Sequence, residues 1–352
     1  MSEFCILSAA NPDDRARWMQ VWQASSDREP FAHPTYAELF ADGGTALAAY
    51  YSDASGEVLF PVIARPLSAL AWCPIDYAEH VDLVSPYGYG GPFVLSGEGG
   101  ALADGFWPAF DAWARERGVV AVFSRLSLFE EQRLPWPEGV VENNVNVVVR
   151  FDLDEDAHWR RYKSKVRKNV NKARRSGVTC TVERDGAHLD DFLRIYEATM
   201  DRNDAGKGYY FDRSFYERIV AEMPESFLFV HTWWEGRIVS TELVMAGARH
   251  LYSYLGGTEV EAFDVRPNDL LKHEVCAEGM AKGLEAFVLG GGYKPRDGIF
   301  SYKLAFAKDG EVPFHVGQRL LMPEVAGELV EARRGSEADW EPAPGYFPPY
   351  RA

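Results

Sequence analysis

A chain of 352 residues is longer than one ordinary hydrophobic core organises, so two domains of middling size are expected. The hydrophobic fraction of 47% excludes a largely disordered protein, and the formal net charge of −16 argues against a protein that coats DNA or other nucleic acid non-specifically. The sequence shows no export signal and no apolar run of the roughly 18 residues that a membrane span needs, which predicts a cytoplasmic protein without a membrane span.

Motifs for covalent or metal-dependent catalysis are missing from the sequence. The four cysteines (Cys5, Cys73, Cys180 and Cys276) are far apart, and the eight histidines are scattered singly, so no disulfide framework and no metal site are predicted. There is no GxSxG, HExxH or GxxxxGK[ST] motif and no dinucleotide fingerprint after a strand.

The first half of the chain predicts alternating helices and strands. A helix is expected over residues 13–24, after the Asn11-Pro12 pair, and a short one after His33-Pro34. Two β-prone runs, 46–51 and 58–65, are joined by a serine- and glycine-containing turn. A helix over 101–117 then ends at Gly118, and 119–124 is expected to be a short buried strand.

The sharpest charge feature is a basic segment in the middle of the chain. Between Arg160 and Arg175, nine of sixteen residues are basic and none is acidic. Apolar residues spaced three or four apart predict one amphipathic helix over 156–176, ended by Gly177, with its cationic groups facing outward. Such a face can bind phosphate, or it can be a solvated surface that pairs with carboxylates elsewhere. A strand over 178–183 should follow.

The second half repeats the order of the first. Strands are predicted over 227–234, 238–247 and 250–256, followed by a helix over 268–282 that ends at Gly283 and a buried strand over 284–289. We infer two copies of one unit and therefore an α/β protein with mixed sheets. The predicted domains are 1–153 and 154–336, followed by a proline- and acid-rich segment, 337–352, expected to be irregular, draped or disordered.

Four stretches of the second half together resemble the Fem family of transferases and the wider set of Fem-like proteins with the GNAT fold. They are the basic segment from Lys163 to Gly177, the run LYSYLGG ending at Gly257, the helix start RPNDLL at Arg266, and the segment from Leu289 to Phe306. In the first half, SPYGYGGP from Ser85 to Pro92 is similar to an element of Fem-like proteins.

This resemblance implies two tandem GNAT-like lobes with a cleft between them. Family members transfer an amino acid from charged tRNA to an amine, in cell-wall or natural-product biosynthesis. No heptad run corresponds to the coiled-coil arm of some members, so none is expected. Aminoacyl-tRNA would be a co-substrate and no cofactor would be needed. Acetyl-CoA is expected only under an alternative, because Val265-Arg266-Pro267 offers no glycine-rich turn to a pyrophosphate.

The resemblance also implies catalytic residues. Lys303 matches the lysine of a Phe-Lys-x-x-Phe motif and could stabilise an oxyanion or hold the terminal tRNA phosphate, with a strand-edge lysine as the alternative. Tyr302 stands where the family usually has Phe. Tyr254 matches a strand tyrosine that could bond substrate or lie in the core. Glu242 is a candidate base unless its strand turns it to solvent, and Asp297 is the other candidate.

Further residues are assigned to substrate and tRNA. Arg266 and Asn268, at a helix start, could bind a phosphate or carboxylate, although Asn268 could instead be the N-cap. Tyr87 and Tyr89 would form aromatic walls for an acceptor or a terminal adenine, or pack a loop. Tyr209 lies in a lid or a plain linker. The tRNA contacts would come from the basic segment: Lys163, Lys165, Arg167, Lys168, Lys172, Arg174 and Arg175.

Three functions remain open at this stage. The first is an aminoacyl-tRNA-dependent transferase acting on a small-molecule or peptidoglycan-precursor amine. The second is an N-acyltransferase that uses acyl-CoA, and the third is a non-catalytic GNAT-like protein that binds a carbohydrate or peptide. The sequence leaves open the amino acid, the acceptor, the pathway, the general base and the oligomeric state.

Overall fold

The structure, a computed structural model, describes residues 2–352 and is a mixed α/β protein, as predicted. The strands are β1 Glu3–Ser8, β2 Thr45–Asp53, β3 Gly56–Pro66, β4 Val81–Val84, β5 Phe93–Gly97, β6 Val119–Arg125, β7 Val140–Arg150, β8 Thr179–Glu183, β9 Phe227–Trp234, β10 Arg237–Ala246, β11 His250–Thr258, β12 Ala286–Gly290 and β13 Glu311–Leu320. The helices are α1 Pro12–Ala24, α2 Pro34–Leu39, α3 Gly99–Glu116, α4 Glu155–Arg161, α5 Ser164–Arg175, α6 Leu189–Arg202, α7 Arg213–Glu222, α8 Pro267–Ala281, α9 Gly298–Lys303 and α10 Pro323–Ser336.

The chain divides into two compact units. Unit 1 contains the residues up to 143 together with 314–352, and unit 2 contains 144–313. These limits differ from the predicted 1–153, 154–336 and 337–352, because the chain enters unit 2 with β7 and returns to unit 1 within β13.

The sheet of unit 1 runs in the order β1-β2-β3-β4-β6-β13, with β5 added beside β3. Strands β4 and β6 are parallel, and the other neighbours are antiparallel. Helix α3 connects to β6 and packs on this sheet through Phe106 and Phe110, which contact Phe60. Helix α3 contains an internal proline, Pro108.

The sheet of unit 2 repeats this plan in the order β7-β12-β11-β10-β9-β8, with β11 and β12 as its parallel pair. Helix α8 precedes β12 as α3 precedes β6, which agrees with the predicted duplication. Strand β7 follows β6 in the chain but pairs with β12, whereas β13 follows β12 but pairs with β6. Each sheet therefore takes its last strand from the other half of the sequence.

The predicted glycine stops are confirmed. Gly118, Gly177 and Gly283 have φ of +71°, +78° and +68°, the left-handed conformation that ends a helix and that glycine adopts without a Cβ clash. After α8, the Leu284 amide donates to the Gly279 carbonyl at 3.0 Å, which satisfies one of the carbonyls left free at the helix end.

The predicted basic helix over 156–176 is in fact two helices, α4 and α5, separated at Tyr162 and Lys163. The aromatic ring of Tyr162 is buried against His273 and Phe306, and this anchor redirects the chain between the helices. The apolar stripe of α5 is as predicted, because Val166, Val170 and Ala173 are buried.

Several elements were absent from the sequence predictions. These are β1, β4, β5, β7, β13 and the helices α4, α9 and α10 as separate elements. The C-terminal segment is irregular as predicted, but it is anchored: Tyr350 is fully buried and Arg351 pairs with Asp82. Within residues 2–352, no coiled coil interrupts unit 2, and none of the helices is long and apolar enough to cross a membrane.

Candidate active site

A buried ion pair lies at the centre of unit 2. The Lys272 ammonium of α8 is 2.6 Å from Glu242 Oε1 of β10, and the two side chains are only 8% and 4% exposed. Ser253 Oγ of β11 lies 2.7 Å from the same ammonium. The other carboxylate oxygen, Glu242 Oε2, is buried without a hydrogen-bond partner in the structure. Glu242 therefore points into the protein and not to solvent, and its negative charge is paired with Lys272, which the sequence analysis did not single out.

The strand pairing explains how this pair is accommodated. Between β10 and β11 the register shifts by one residue after Leu243, so that Leu243 pairs with Leu255 and Val244 with Ser253. Tyr254 is the extra residue of this bulge and is partly buried. A bulge locally re-aims side chains and interrupts pairing, which opens the middle of a sheet to polar groups.

Lys303 belongs to the same polar cluster. It is the last residue of α9, partly buried, and its ammonium donates to the Gly291 carbonyl at 2.7 Å. Burial, with a smaller contribution from the charge of Lys272, lowers the pKa of Lys303 from its ordinary 10.5 to about 8, although Glu242 and Asp297 oppose the shift. Lys303 is therefore at a helix end and not at a strand edge, and it shares an electrostatic environment with Glu242.

Two predicted substrate residues meet beside this cluster. Asn268 Nδ2, in the first turn of α8, donates to the Tyr302 hydroxyl at 3.1 Å. Burial raises the pKa of Tyr302 well above its ordinary value, with Asp269 and Glu242 adding to the shift. Asp269 accepts from Asn169 Nδ2 of α5 at 3.1 Å, and burial raises the pKa of its carboxyl. Asn268 is not the N-cap of α8, since that position is held by Arg266.

Asp297 is engaged as a helix cap. Its carboxylate accepts from the backbone amides of Phe300 and Tyr293 at 2.8 Å and of Lys294 at 2.9 Å. These hydrogen bonds lower the pKa of Asp297, because they stabilise the charged form. A carboxylate with low basicity and occupied lone pairs is poorly suited to remove a proton from an amine, so the geometry disfavours Asp297 as the base.

The remaining candidates of unit 2 lie outside the buried cluster. Arg266 is exposed and has the left-handed φ of +61° just before α8. Tyr209 is exposed in a single 3₁₀ turn, where its carbonyl accepts from the Tyr196 hydroxyl at 2.7 Å. This hydrogen bond favours the interpretation of the segment as a fixed linker and not as a mobile lid.

The basic groups of α5 form an exposed cationic face. Lys163, Lys165, Lys168, Lys172, Arg174 and Arg175 are all exposed. Arg167 is the exception: it is partly buried and donates to the carbonyls of Arg160 and Tyr162, which ties α5 to α4. Arg174 pairs with Glu274 at 3.1 Å, so only part of the face is neutralised by the protein.

Tyr87 and Tyr89 lie in unit 1 and differ in surroundings. Tyr87 is exposed, stacks on Phe40 at 5.9 Å and lines a pocket. Tyr89 packs edge-to-face on Phe31 at 5.6 Å and on Phe314 at 5.5 Å, and burial raises its pKa. Tyr89 is therefore a packing residue, whereas Tyr87 is exposed at the edge of a pocket.

The acetyltransferase (GNAT) domain family matches residues 160–304, which contain Glu242, Lys272 and Lys303. FemX superposes with a TM-score of 0.68 at 10% identity, over 89% of this chain and 98% of FemX. The chain has the Fem-like GNAT fold.

Two other solved structures share this fold across nearly their whole length. A C-terminal domain from Agrobacterium fabrum, described as part of a lysylphosphatidylglycerol synthetase, has a TM-score of 0.57 at 13% identity and covers 92% of this chain and 97% of its own. A conserved protein of unknown function from Bacteroides thetaiotaomicron has a TM-score of 0.57 at 11% identity, over 90% and 99% of the two chains. None of the curated proteins matches the sequence.

The sequence analysis missed several polar residues of the buried cluster in unit 2. These are Lys272, Ser253, Asp269 and Asn169. The sequence did contain an indication of this role for Lys272. The residue lies between Leu271 and His273 on the apolar side of α8, where a charged side chain is unusual unless it has a buried partner.

Proposed function

We propose that this protein is an acyltransferase that moves an amino acid from a charged tRNA to the amine of a small molecule or a peptidoglycan precursor. The observation that carries the proposal is Lys303, a partly buried lysine with a lowered pKa beside the Glu242–Lys272 pair. The GNAT domain match over 160–304 and the fold shared with FemX support the acyl-transfer class. The resemblance to the Fem family supports tRNA as the donor.

The proposed step is direct aminolysis without a covalent enzyme intermediate. The acceptor amine attacks the ester carbonyl, a C–N bond forms, the C–O ester bond breaks, and the 3′ hydroxyl of the tRNA leaves. Lys303 would stabilise the negative charge that develops on the carbonyl oxygen. Glu242 Oε2, which has no hydrogen-bond partner in the structure, would accept the proton lost by the amine and return it to the departing 3′ oxygen, which then leaves as a hydroxyl. Holding both reactants together would supply most of the rate.

The experiment that tests the function uses a pool of tRNA charged with radiolabelled amino acids and a panel of amine acceptors. Transfer of label that ribonuclease abolishes is the expected result. If neither the charged tRNAs of the pool nor acyl-CoA support any turnover, the result contradicts an enzymatic role. It would favour a GNAT-like protein that only binds a carbohydrate or peptide.

The second candidate is an N-acyltransferase that uses acyl-CoA. The match to a family described as acetyltransferases favours it. Against it, α8 begins at Pro267 after Val265 and Arg266, without the glycines that let backbone amides approach a pyrophosphate. Transfer from acetyl-CoA in the absence of tRNA would decide for this candidate.

The rate of transfer should fall as the pH rises through about 8, because Lys303 loses the proton on which its role depends. A Lys303→Arg variant should show no such fall, since arginine stays protonated. The profile of kcat between about pH 6 and pH 10 measures this. A rate that rises through the same range would show that Lys303 acts as a base.

Because the folded-state pKa lies below the ordinary 10.5, Lys303 should also make folding more favourable as the pH rises from about 8 to 10.5.

Charge reversal on the cationic face should weaken the use of tRNA. In the triple variant Lys165→Glu, Lys168→Glu, Lys172→Glu, the KM for charged tRNA should rise, and the slope of log Kd against log salt should shrink by about 2 units. These lysines are exposed, so the fold should not change. Arg167 is left intact because it donates to backbone carbonyls. Reversal of Lys294 and Lys308, two exposed lysines outside α5, is the control. An unchanged salt slope in the triple variant would place tRNA elsewhere.

A further inference from the structure

Unit 1 contains a pocket of about 360 Å³ that the proposed transfer chemistry does not use. Three arginines line it: Arg65 from β3, Arg125 from the end of β6 and Arg351 from the C-terminal turn. Tyr87 and Phe40 form an aromatic wall. A concave site of this size with a few convergent polar groups is typical of small-molecule binding.

Two of the arginines share one counter-charge. Asp82 is fully buried, and its carboxylate lies 2.7 Å from Arg65 Nε while its other oxygen pairs with Arg351. The Tyr350 hydroxyl donates to the same carboxylate at 3.4 Å. One carboxylate therefore neutralises half of the charge that these two guanidinium groups bring to the pocket.

Arg125 has no carboxylate partner among residues 2–352. Its guanidinium lies 5.5 Å from the centre of the Tyr87 ring and 5.4 Å from that of Phe123. The positive charge of Arg65 repels it and contributes to lowering its pKa. Asp42, also on the pocket lining, is exposed and forms no ion pair with it. Burial lowers the pKa of Arg125, which reflects the cost of an uncompensated charge.

We propose that this pocket binds the carboxylate or phosphate group of a small molecule, with Arg125 as the main contact and Tyr87 stacked against the ligand. An oxyanion would supply the missing counter-charge, and the planar guanidinium can hold it through two parallel hydrogen bonds. The proposal concerns unit 1 alone and does not depend on the identity of the acyl donor.

Calorimetric titrations with inorganic phosphate and with succinate, at constant ionic strength set with sodium chloride, test this site. We expect binding of at least one probe, weakened at least about tenfold in Arg125→Gln. Arg125→Lys should recover part of the affinity, because it restores the charge without the bidentate geometry. Arg115→Gln, an exposed arginine on α3, is the matched control and should bind as the wild type does.

The two probes separate the sources of the oxyanion, since tighter binding of phosphate or of succinate indicates which group the natural ligand carries. Circular dichroism confirms that Arg125→Gln is folded. The proposal is wrong if neither probe binds more tightly than chloride, or if Arg125→Gln and Arg125→Lys both bind as the wild type does.

A second, independent site lies at the edge of the unit 2 sheet. Glu183 ends β8, His188 precedes α6, and His231 lies in β9. Glu183 Oε2 is 2.6 Å from His188 Nδ1, and Glu183 Oε1 is 3.2 Å from His231 Nε2. One ligand atom from each residue lies within 4.8 Å of the others. These three residues do not follow a recognised metal-ligand spacing in the sequence, so the sequence analysis predicted no metal site.

The surroundings of His231 favour a metal ion over a simple hydrogen-bond network. His231 is fully buried, and its Nε2 has no hydrogen bond of normal geometry. Its Nδ1 lies 2.8 Å from Thr241 Oγ1, the kind of contact that orients a metal-binding imidazole. We infer that Glu183, His188 and His231 bind one zinc-like divalent ion, with the half-exposed His188 side leaving room for water.

Titration of untagged protein with Co²⁺, followed by its visible absorption, tests this inference, and Zn²⁺ should displace the signal. We expect one equivalent of Co²⁺ to bind, with affinity reduced at least about tenfold in both Glu183→Gln and His188→Gln. The side chain of His188 is partly exposed, so the His188→Gln variant is expected to fold. His315→Gln, in unit 1, is the control. The site is refuted if the wild type binds no Co²⁺, or if both ligand variants bind Co²⁺ as tightly as the wild type does.

Discussion

Replacement of Lys303 by alanine is expected to lower kcat for acyl transfer by about 10²- to 10³-fold, while the protein remains folded. The physical reason is the loss of a partly buried ammonium with a lowered pKa at the end of α9, whose charge interacts with that of Glu242. Among residues 2–352, its ammonium donates one hydrogen bond, to the Gly291 carbonyl at 2.7 Å, so its other protons are available to stabilise an oxyanion. Rates with saturating donor and acceptor measure the effect.

The matched control is Lys308→Ala, an exposed lysine five positions further along the chain, which should leave kcat unchanged. Lys303→Arg should retain part of the activity below pH 8, since it keeps the charge but not the shape. Wild-type rates in Lys303→Ala would remove this residue from the site, and loss of the folded state in that variant would show a structural role instead.

The Lys272→Met variant is expected to lose about 3–5 kcal/mol of the free energy of unfolding, because it leaves the Glu242 carboxylate buried without its cation. The pair is almost free of solvent, with side chains 8% and 4% exposed, so water cannot compensate for the missing partner. Urea unfolding of the purified variant measures the loss. The Phe287 ring, 5.5 Å from the ammonium, offers an apolar surface on which methionine can pack.

The same helix provides the control for this prediction. Lys282 pairs with Glu278 at 2.9 Å on the exposed side of the end of α8, so Lys282→Met should cost no more than about 1 kcal/mol. A double variant, Lys272→Met with Glu242→Leu, should recover most of the stability lost in the single variant, because no buried charge remains. Equal losses for Lys272→Met and Lys282→Met would contradict a desolvated ion pair.

The sequence predicted the local elements well where hydrophobic periodicity and glycine act together. Helices α1, α3 and α8 and strands β9, β10 and β11 lie within a few residues of their predicted limits, and Gly118, Gly177 and Gly283 end helices as expected. The duplicated order of strands, helix and strand was also visible. Short strands such as β4 and β5 were missed, because four or five residues carry too little periodicity to distinguish them from loops.

The site was predicted in part. Lys303 and Glu242 were chosen separately, and the structure places them in one electrostatic cluster. Asp297 was chosen as a possible base, but its carboxylate caps α9, which only the fold of the loop around it reveals. Lys272 was overlooked because its partner Glu242 is 30 residues away, on a strand of the sheet that α8 covers.

By itself the sequence determined the α/β class, the repeated unit and the cationic face, because composition and periodicity are local properties of a chain; Lys303 was proposed from the resemblance to the Fem family. The tertiary structure alone decided which strand completes each sheet, which carboxylate pairs with Lys272 and which arginine in unit 1 lacks a counter-charge. These depend on contacts between residues that are far apart in sequence, and the strength of each charge is set by the burial that those contacts create.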